Sequence, residues 1–489
     1  MHTSLLTRRL ILVVSFVVLL PTYCLASPQD SMVKVFTTAT TYDYDSPWQV
    51  SGVEAWSGSG CIISGQRILT NAHVVSNAAF IQVQRYGDPN KSTASVIAVS
   101  HEADLALLQV ADEGFFKDTT PLELGGLPEL LDGVVVYGFP EGGEGLSVTK
   151  GIISRIEVTQ YVHSRLNLLG LQIDAAINAG NSGGPVIMDG KIVGVAMQML
   201  EKAQNIGYII PVPIIEHFLT DLKDGHYDGF PEDGVVIQSL ENSIFRQTLK
   251  LPTETTGVFV TEVVPGSSVD VFLVPGDVLL DIDGHPIAND GSVLLRPGLR
   301  VRGDYYVTAH QLGDNIDVTV WRNLSKKALS IPLTSRQGSS LRVKLMEYDV
   351  QPEYYIVAGI ILTPLSFNYL ASWGEDWVKK APMRLLKYFY EDKEEAGEQV
   401  IIISGLLTSK MTAGYQDVAV DKRVVSVNGQ SFTSFKNLAD LLDHALTKDD
   451  PIILKTEDHS VVVVSPQEHR KNEKQLLKLY GIDEPMRVR

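Results

Sequence analysis

The sequence predicts an all-β-dominated chain that is divided into several domains. At 489 residues the chain is too long for one ordinary hydrophobic core. Hydrophobic residues make up 44% and charged residues 20%, a composition typical of globular proteins. Between residues 30 and 222, short β-type runs recur at close spacing, with turn residues such as Gly-Asp-Pro-Asn at 87–90 between them. Regularly spaced strands of this kind predict barrels or a sandwich.

The first 26 residues have the features of a secretory signal peptide. Arg8 and Arg9 precede an apolar run of eleven residues, 10–20. That run is too short for a membrane span, which needs about 20 residues, and small residues follow it. Cleavage is expected after Ala26, which would leave no stable membrane span. An uncleaved anchor is the alternative.

The net charge argues against nucleic-acid binding, and the cysteine content argues against an intrachain disulfide. The formal net charge is -17, and loss of the signal peptide would remove only two arginines and no acid. So acidic a chain lacks the basic face that nucleic-acid binding needs. Cys61 would be the single cysteine left, so no intrachain disulfide is expected, and its apolar neighbours predict a buried thiol.

Composition divides the rest of the chain into three units and two connecting pieces. The phrases VLLDIDG and RVVSVNG, each ending in a turn glycine, suggest that a small β-rich domain occurs twice. The predicted parts are a β-rich domain at 30–222, a Gly/Asp/Pro-rich linker at 223–232, a second unit at 233–336, a third at 341–468 and a tail at 469–489.

The stretch QIDAAINAGNSGGPVI, residues 172–187, surrounds Ser182 with glycines. A nucleophilic serine needs an exposed hydroxyl, a base and donors for the oxyanion that develops. The backbone N–H groups of Gly180 and Ser182 could supply those donors, and Gly183 and Gly184 would let a substrate backbone approach. Taken alone, the same loop could equally be an anion-binding nest.

A base and an orienting acid occur upstream of this loop. His73 follows an apolar strand in ILTNAHVV, and Asp104 stands at the start of a buried run in DLALLQV. Each has an ordinary alternative, a structural histidine and a turn aspartate. A carboxylate at the mouth of a core strand is costly unless it is paired, and holding an imidazole N–H would pair it. The chain order His73, Asp104, Ser182 is that of the double β-barrel serine proteases.

The motifs TNAHVV, DLALL and GNSGGP together resemble the triad motifs of the HtrA/Deg (DegP-like) family, trypsin-like serine proteases with C-terminal PDZ domains. YYIVAGIILTPLS in the last unit is similar to the two-PDZ Deg proteases known from plants. The resemblance implies a chymotrypsin-like double β-barrel protease domain followed by two PDZ-like α+β domains. It also implies that Ser182 is the nucleophile, His73 the general base, Asp104 the orienting carboxylate, and Gly180 with Ser182 the oxyanion hole.

The resemblance further assigns the primary specificity pocket to 194–199, with Met197, Gln198 and Met199 as substrate-binding residues. These residues are apolar or neutral, so cleavage after small or medium aliphatic residues is expected. The segment 158–170 corresponds to a sensor loop that couples PDZ and protease domains, without a single acting residue being evident.

In the second unit, Gly234, Val235 and Val236 correspond to the loop and strand that hold a peptide C-terminus in the family. The alternative is an edge strand that serves only packing between subunits. The third unit lacks the Pro-Gly-Asp of 275–277, so an assembly role is at least as well supported there as peptide binding.

The family resemblance implies an ATP-independent endopeptidase for unfolded or damaged proteins, acting in protein quality control and stress response. No Walker-type loop, HExxH motif or Cys/His cluster occurs, so no cofactor or metal is expected. The alternatives are a holdase chaperone or peptide-binding scaffold, and a regulatory protease that cuts one signalling target.

The expected partners are unfolded polypeptides, peptide C-termini and further copies of the chain. Assembly from homotrimers is implied by the family, with four N-terminal aromatic residues as candidate anchors: Phe36, Tyr42, Tyr44 and Trp48. The secretory-type signal predicts a bacterial periplasm, which departs from the plant members.

Overall fold

The computed structural model describes residues 27–140, 143, 145–199 and 206–489, with only the backbone described for Gln198 and Met199. The predicted signal peptide lies outside these residues. Within the described ranges no helix is both long and apolar enough to cross a membrane. The all-β-dominated fold is confirmed.

The first β-barrel closes in the order β1-β2-β3-β6-β5-β4, with every neighbouring pair antiparallel. Alternate residues of its first strand, such as Val33 and Val35, are buried, as a two-residue side-chain period requires. Its elements are β1 (Met32–Tyr42), β2 (Val50–Ile63), β3 (Arg67–Thr70), α1 (Ala72–Val75), β4 (Ala78–Arg85), β5 (Ser92–Ser100) and β6 (Leu105–Val110), with 3₁₀ turns at Pro28–Ser31 and Glu113–Phe116.

The second β-barrel closes in the order β10-β11-β12-β9-β8-β7. The helix predicted after it begins at a proline-rich start and buries Ile214, Ile215 and Phe218 against the barrel. The elements are β7 (Gly133–Gly138), β8 (Ser147–Gln160), β9 (Asn167–Ile173), β10 (Pro185–Met188), β11 (Lys191–Met199), β12 (Gly207–Pro211) and α2 (Val212–Asp221), then a 3₁₀ turn at Leu222–Asp224.

The main sheet of the second unit has the order β14-β15-β16-β20-β21, with β17 paired to β16, so β14 lies at its edge. Strands β18 and β19 form a separate pair. The small strands β13 and β22 pair with each other and close the unit. Its elements are β13 (Pro231–Glu232), β14 (Val235–Ser239), α3 (Ser243–Thr248), β15 (Val258–Val263), β16 (Val278–Ile282), β17 (His285–Pro286), β18 (Ser292–Arg296), β19 (Leu299–Arg302), α4 (Asp304–Thr308), β20 (Asn315–Arg322), β21 (Ser325–Pro332) and β22 (Ser335–Arg336).

The stretch 223–232 is not the loose linker that its composition predicts. Phe230 is fully buried and its ring stacks on His217 with centroids 3.9 Å apart. Tyr227 donates its hydroxyl to the Glu102 carboxylate at 2.7 Å. The buried Phe230 and the half-buried Tyr227 therefore hold this segment against the protease domain.

The last unit is a sheet in the order β28-β27-β26-β25-β24-β23-β29. Its elements are β23 (Tyr354–Val357), β24 (Ile360–Pro364), α5 (Phe367–Ala371), α6 (Trp377–Lys380), α7 (Met383–Phe389), β25 (Ile401–Leu406), α8 (Gln416–Ala419), β26 (Lys422–Val427), α9 (Phe435–Leu446), β27 (Ile452–Thr456), β28 (Val461–Val464), α10 (Pro466–Leu479) and β29 (Met486–Arg487).

The boundary predicted at 468 falls inside this unit. Helix α10 begins at Pro466, and β29 near the C-terminus pairs with β23 through Arg487 and Tyr354. Leu476 and Leu477 are buried, so the helix packs on the unit as part of its core. The tail reads as separate because only one face of this helix is apolar.

Candidate active site

His73 and Asp104 meet at the ends of neighbouring strands of the first barrel. Short α1 carries His73 directly after β3, and Asp104 immediately precedes β6, the strand paired with β3. His73 Nδ1 lies 2.7 Å from Asp104 Oδ2, and the His73 backbone N–H donates to Oδ1 at 2.8 Å. The Asn71 side chain donates to the Asp104 carbonyl at 2.8 Å. The carboxylate is therefore fixed on His73 by two bonds, as the sequence predicts.

This pair stabilises a protonated imidazole. Burial alone would lower the pKa of His73, but the charge and hydrogen bond of Asp104 outweigh it and raise that pKa. Burial would raise the pKa of Asp104, but the charge and hydrogen bonds of His73 lower it. The Asp104 side chain is 1% exposed and that of His73 34% exposed. The acid is thus shielded while the base faces the solvent-accessible cleft.

The Ser182 loop has the backbone conformation that its glycines predict. Gly180 has a φ of 92° and Gly183 one of 84°, both in the left-handed region that favours glycine. Within the described residues, the N–H groups of Gly180 and Ser182 have no protein acceptor, whereas that of Gly183 donates to the Ala196 carbonyl at 2.9 Å. Two unpaired donors beside a serine hydroxyl are the elements of an oxyanion hole.

The Ser182 hydroxyl donates to the Met197 carbonyl at 3.2 Å. The hydroxyl must turn away from that carbonyl before the His73 ring can take its proton. Within the described residues the serine hydroxyl thus bonds to β11 and not to the histidine, which is paired with the acid.

Gly183 and Gly184 have a packing role that the sequence did not predict. A Cβ on Gly183 would overlap the Ser59 carbonyl, and one on Gly184 would overlap the Tyr137 carbonyl. These glycines let the loop pass between β2 and β7, one strand from each barrel. Close packing of the protein's own backbone therefore requires both glycines, and their role in letting a substrate backbone approach stays a prediction.

Ser59 supports this loop and was missed by sequence reasoning. Its buried hydroxyl donates to the Gly180 carbonyl at 2.6 Å and accepts the Phe139 N–H at 2.8 Å, and its own N–H donates to the Ser182 carbonyl at 2.8 Å. The one available signal was a serine in the otherwise apolar, glycine-rich run GSGCII.

The predicted specificity segment is strand β11. Met197 is buried at 2% exposure in the second barrel. The side chains of Gln198 and Met199 lie outside the described residues, so their place in a pocket stays a prediction. The backbone of the strand runs beside Ser182, as the bond to the Met197 carbonyl shows.

The second unit has an open edge at β14, where Gly234, Val235 and Val236 were predicted to hold a peptide. A cavity of about 430 Å³ opens beside this strand, lined by apolar residues and by four charged ones, Asp233, Asp290, Arg302 and Asp304. The Asp233 carboxylate accepts the Val235 N–H at 3.3 Å. One amide that was expected to hold a peptide carboxylate is thus bonded to the chain's own acid.

The last unit differs at the corresponding strand. There β24 pairs with β25 on one side and with β23 on the other, and β29 covers β23 in turn. The chain itself thus occupies the edge at which an added peptide strand would lie.

Comparison with known proteins places these features in a family. Residues 58–195 match the model of a trypsin-like peptidase domain, and residues 343–487 match that of a PDZ domain. The chain is 39% identical over 465 residues to Protease Do-like 2, chloroplastic, of Arabidopsis thaliana, which covers 94% of this chain and 74% of the relative. The chain belongs to the HtrA/Deg family of serine proteases. As a member of the HtrA/Deg family it is a serine endopeptidase.

Other HtrA/Deg relatives agree. Protease Do-like 4, mitochondrial, of Arabidopsis thaliana is 38% identical over 454 residues, with 93% of this chain and 84% of the relative covered. The solved structure of an HtrA-type protease with a decapeptide aligns with a TM-score of 0.51 at 26% identity, over 63% of this chain and 95% of that one.

The predicted bacterial periplasm finds no support among these HtrA/Deg relatives. Their names place them in chloroplasts or mitochondria. The prediction rested on the apolar N-terminal segment, and such a segment does not by itself identify the kind of organism.

Proposed function

We propose that this serine endopeptidase degrades or processes unfolded and damaged proteins without ATP, through an acyl-enzyme on Ser182. His73 takes the Ser182 proton as general base and returns it to the leaving amine, while Asp104 holds the imidazole and stabilises its charged form. The N–H groups of Gly180 and Ser182 receive the oxyanion.

The observation that carries this proposal is the pair of hydrogen bonds between Asp104 and His73, which engage both carboxylate oxygens. A buried carboxylate in this position orients the imidazole and leaves its other ring nitrogen available to accept the Ser182 proton. The unpaired N–H groups of Gly180 and Ser182 support the same assignment.

The test compares wild type with Ser182→Ala on a reduced, alkylated protein that cannot fold and on the same protein folded. Wild type should degrade the unfolded form, label with a fluorophosphonate and need no nucleotide. Ser182→Ala should neither degrade the unfolded protein nor label with the fluorophosphonate. Ser95 is an exposed serine on β5, so Ser95→Ala should match wild type. Equal digestion by Ser182→Ala and wild type would overturn the proposal. Client protection by wild type without any cleavage would favour the holdase alternative.

The neutral, apolar character of Met197 and its neighbours supports cleavage after small or medium aliphatic residues. Fluorogenic peptides that differ only at the residue before the cut provide the test. Valine or alanine should exceed arginine at least tenfold in kcat/KM, and a preference for arginine would reject the assignment.

The open edge of β14 supports peptide binding by Gly234, Val235 and Val236 in the second unit. The covered edge in the last unit supports a structural role there. Titration of labelled peptides against wild type and a β14 variant, Ile237→Pro, tests both assignments, because a proline removes a ladder donor. Unchanged binding by this variant would move the site away from β14.

A homotrimer, or a multiple of it, remains the proposed assembly. Tyr44 and Trp48 pack against the last unit of the same chain, which leaves Phe36 and Tyr42 as anchors on the first barrel. A monomer in light scattering would exclude this assembly. For location we propose an organelle, by analogy with the relatives' names, to be checked by imaging the full chain with a C-terminal fluorescent tag.

A further inference from the structure

The loop that ends in Asp104 is held by residues far along the chain. We call residues 100–104 the acid loop, and residues 336–353, between the second and last units, the joining segment. Glu102 in the acid loop is buried and accepts Arg336 Nε at 2.5 Å. The same carboxylate accepts the Tyr227 hydroxyl at 2.7 Å and the Phe230 N–H at 3.2 Å. Glu102 is thus fully engaged outside the protease domain.

His101, the neighbour of Glu102, is held by the other end of the joining segment. Its Nε2 lies 2.7 Å from Asp349 Oδ2, and its Nδ1 lies 3.0 Å from His163 Nε2. The Tyr348 ring stacks on His163 at 4.0 Å and on His101 at 4.7 Å between centroids. The Tyr348 hydroxyl donates to the His163 carbonyl at 2.9 Å.

Asp349 also forms hydrogen bonds with the segment that carries the base. Asn77 follows helix α1, which bears His73, and has a φ of 54°. The Asn77 N–H donates to Asp349 Oδ1 at 2.5 Å, and the Asp349 N–H donates to Asn77 Oδ1 at 2.6 Å. One residue of the joining segment therefore bonds to both pieces of chain that deliver the base and the acid.

His163 completes the contact from the predicted sensor loop. Its ring centroid lies 6.1 Å from that of His73. Burial lowers the pKa of His163 to about 3, so its ring is neutral, and its Nε2 faces His101 Nδ1. Two residues further on, the Arg165 guanidinium lies 4.0 Å from the centre of the Phe367 ring in the last unit.

We propose that Tyr348 and Asp349 of the joining segment are positioning residues for the His73–Asp104 pair. This proposal rests on the proposed catalytic roles of that pair and of Ser182. Neither residue touches a substrate; both act by fixing the acid loop, the end of α1 and the His163 ring relative to one another. Catalysis is sensitive to displacements of about 1 Å in such groups, so release of the segment should slow the chemical step and spare substrate binding.

The experiment measures kcat, KM and the rate of fluorophosphonate labelling on the full chain. Asp349→Ala and Tyr348→Ala should each lower kcat and the labelling rate about tenfold, with KM changed less than about twofold. Tyr348→Phe keeps the ring stack and should retain most of the activity. Asp376→Ala is the matched control, since Asp376 is an exposed acid of the same unit paired with Lys379; it should equal wild type.

A double-mutant cycle tests whether the contacts act as one unit. His101→Ala combined with Asp349→Ala should lose no more activity than the worse single variant. Losses that multiply, or Asp349→Ala and Tyr348→Ala within twofold of wild-type kcat, would overturn the inference. Melting curves on each variant identify loss of folded protein. Where an alanine variant fails to fold, Tyr348→Phe is the test of the ring stack, because it should keep most of the activity.

Different results would contradict the catalytic role of Ser182 and the positioning role of Tyr348 and Asp349. Activity that persists in Ser182→Ala would remove the catalytic assignment itself. Activity that is lost in Ser182→Ala but unchanged in Asp349→Ala and Tyr348→Ala would remove only the positioning role.

Discussion

Asp104 has a φ of 54°, a left-handed conformation that is uncommon for residues other than glycine. Its backbone carbonyl is held by Asn71 and its side chain by His73, so the surrounding bonds keep the residue in this conformation. The left-handed backbone at Asp104 directs both the carbonyl and the carboxylate of this buried residue to the β3–α1 segment.

The first prediction concerns the pH profile set by His73 and Asp104. The pKa of His73 is raised, so the imidazole becomes the neutral base only above its ordinary range, and kcat/KM should rise with pH through a midpoint above about 6.5. Asp104→Asn should lower that midpoint and reduce kcat by about 10⁴-fold, the size known for such a change in trypsin-like enzymes. Steady-state kinetics from pH 5 to 9 measure both, and an unchanged midpoint in Asp104→Asn would contradict the assignment.

A second prediction concerns Ser59. Ser59→Ala removes the hydroxyl that bridges the Gly180 carbonyl and the Phe139 N–H, leaving two buried groups unpaired at a cost of about 1–3 kcal/mol each. The Ser182 loop should loosen, and kcat should fall about tenfold or more. Ser51→Ala, an exposed serine on the same strand, is the control. Equal labelling of both variants by a fluorophosphonate would show that Ser59 does not support the oxyanion hole.

Asp233 provides a third prediction. Burial raises its pKa to about 6, with the nearby charges of Asp304 and Glu232 adding to the effect. Above that pH the ionised carboxylate holds the Val235 N–H and repels a peptide carboxylate; below it the charge is lost. Peptides with a free C-terminus should therefore bind the second unit more tightly at pH 5 than at pH 8.

Fluorescence polarisation with matched free and amidated peptides measures this difference. Asp233→Asn should bind the free peptide equally at both pH values. If wild type binds it without pH dependence, Asp233 does not face the bound terminus.

At the scale of elements, the sequence predicts what depends on local pattern. Strand alternation and turn residues predicted barrels or a sandwich, and the family resemblance selected the two barrels that the structure has. The motifs predicted Ser182, His73 and Asp104, of which the structure joins His73 and Asp104 by hydrogen bonds. The contacts of Ser59, His101 and Asp349 were missed because each joins residues distant in the chain. The packing of the linker at 223–232 was missed because its Gly, Asp and Pro content is that of a loop. Two aromatic residues, Tyr227 and Phe230, nevertheless contact the protease domain.

The joining segment is also anchored to the last unit, through Arg342. This side chain is 4% exposed and bonds to Glu398 at 2.8 Å and Glu391 at 2.7 Å. Arg342→Ala leaves Glu398 buried with less compensation and should cost about 3 kcal/mol in the free energy of unfolding. Chemical denaturation measures it. Arg384→Ala, whose half-exposed arginine pairs with Asp421, should cost under about 1 kcal/mol.

The same cluster gives a pH dependence of stability. Burial would raise the pKa of Glu398, but hydrogen bonds and the charges of Arg342 and Arg423 lower it. A glutamate whose pKa is lowered in the folded state stabilises the fold at pH values above the ordinary glutamate pKa. This stabilisation is lost as the pH falls through the folded-state pKa. The difference between wild type and Arg342→Ala should therefore shrink below about pH 4.

At the scale of the whole molecule, the protease domain and the last unit form a continuous structure. Asp349 bonds to the first barrel, and Arg165 of the second barrel lies over Phe367 of the last unit. Contacts of this kind couple the unfolding of the parts they join. Calorimetry should show the protease domain and last unit melting together in wild type, and a lower-temperature component should separate in Asp349→Ala. Two independent transitions in wild type would show that the contacts carry no coupling energy.

The position of Asp349 in the chain has a consequence for the protein's own synthesis. A ribosome delivers the two barrels first. During that interval His73, Asp104 and Ser182 are all present, but the residue that bonds to both the acid loop and the end of α1 has not yet emerged. If Asp349 positions these residues as proposed, full catalytic power is expected only once the joining segment has been synthesised and has bound to the first barrel.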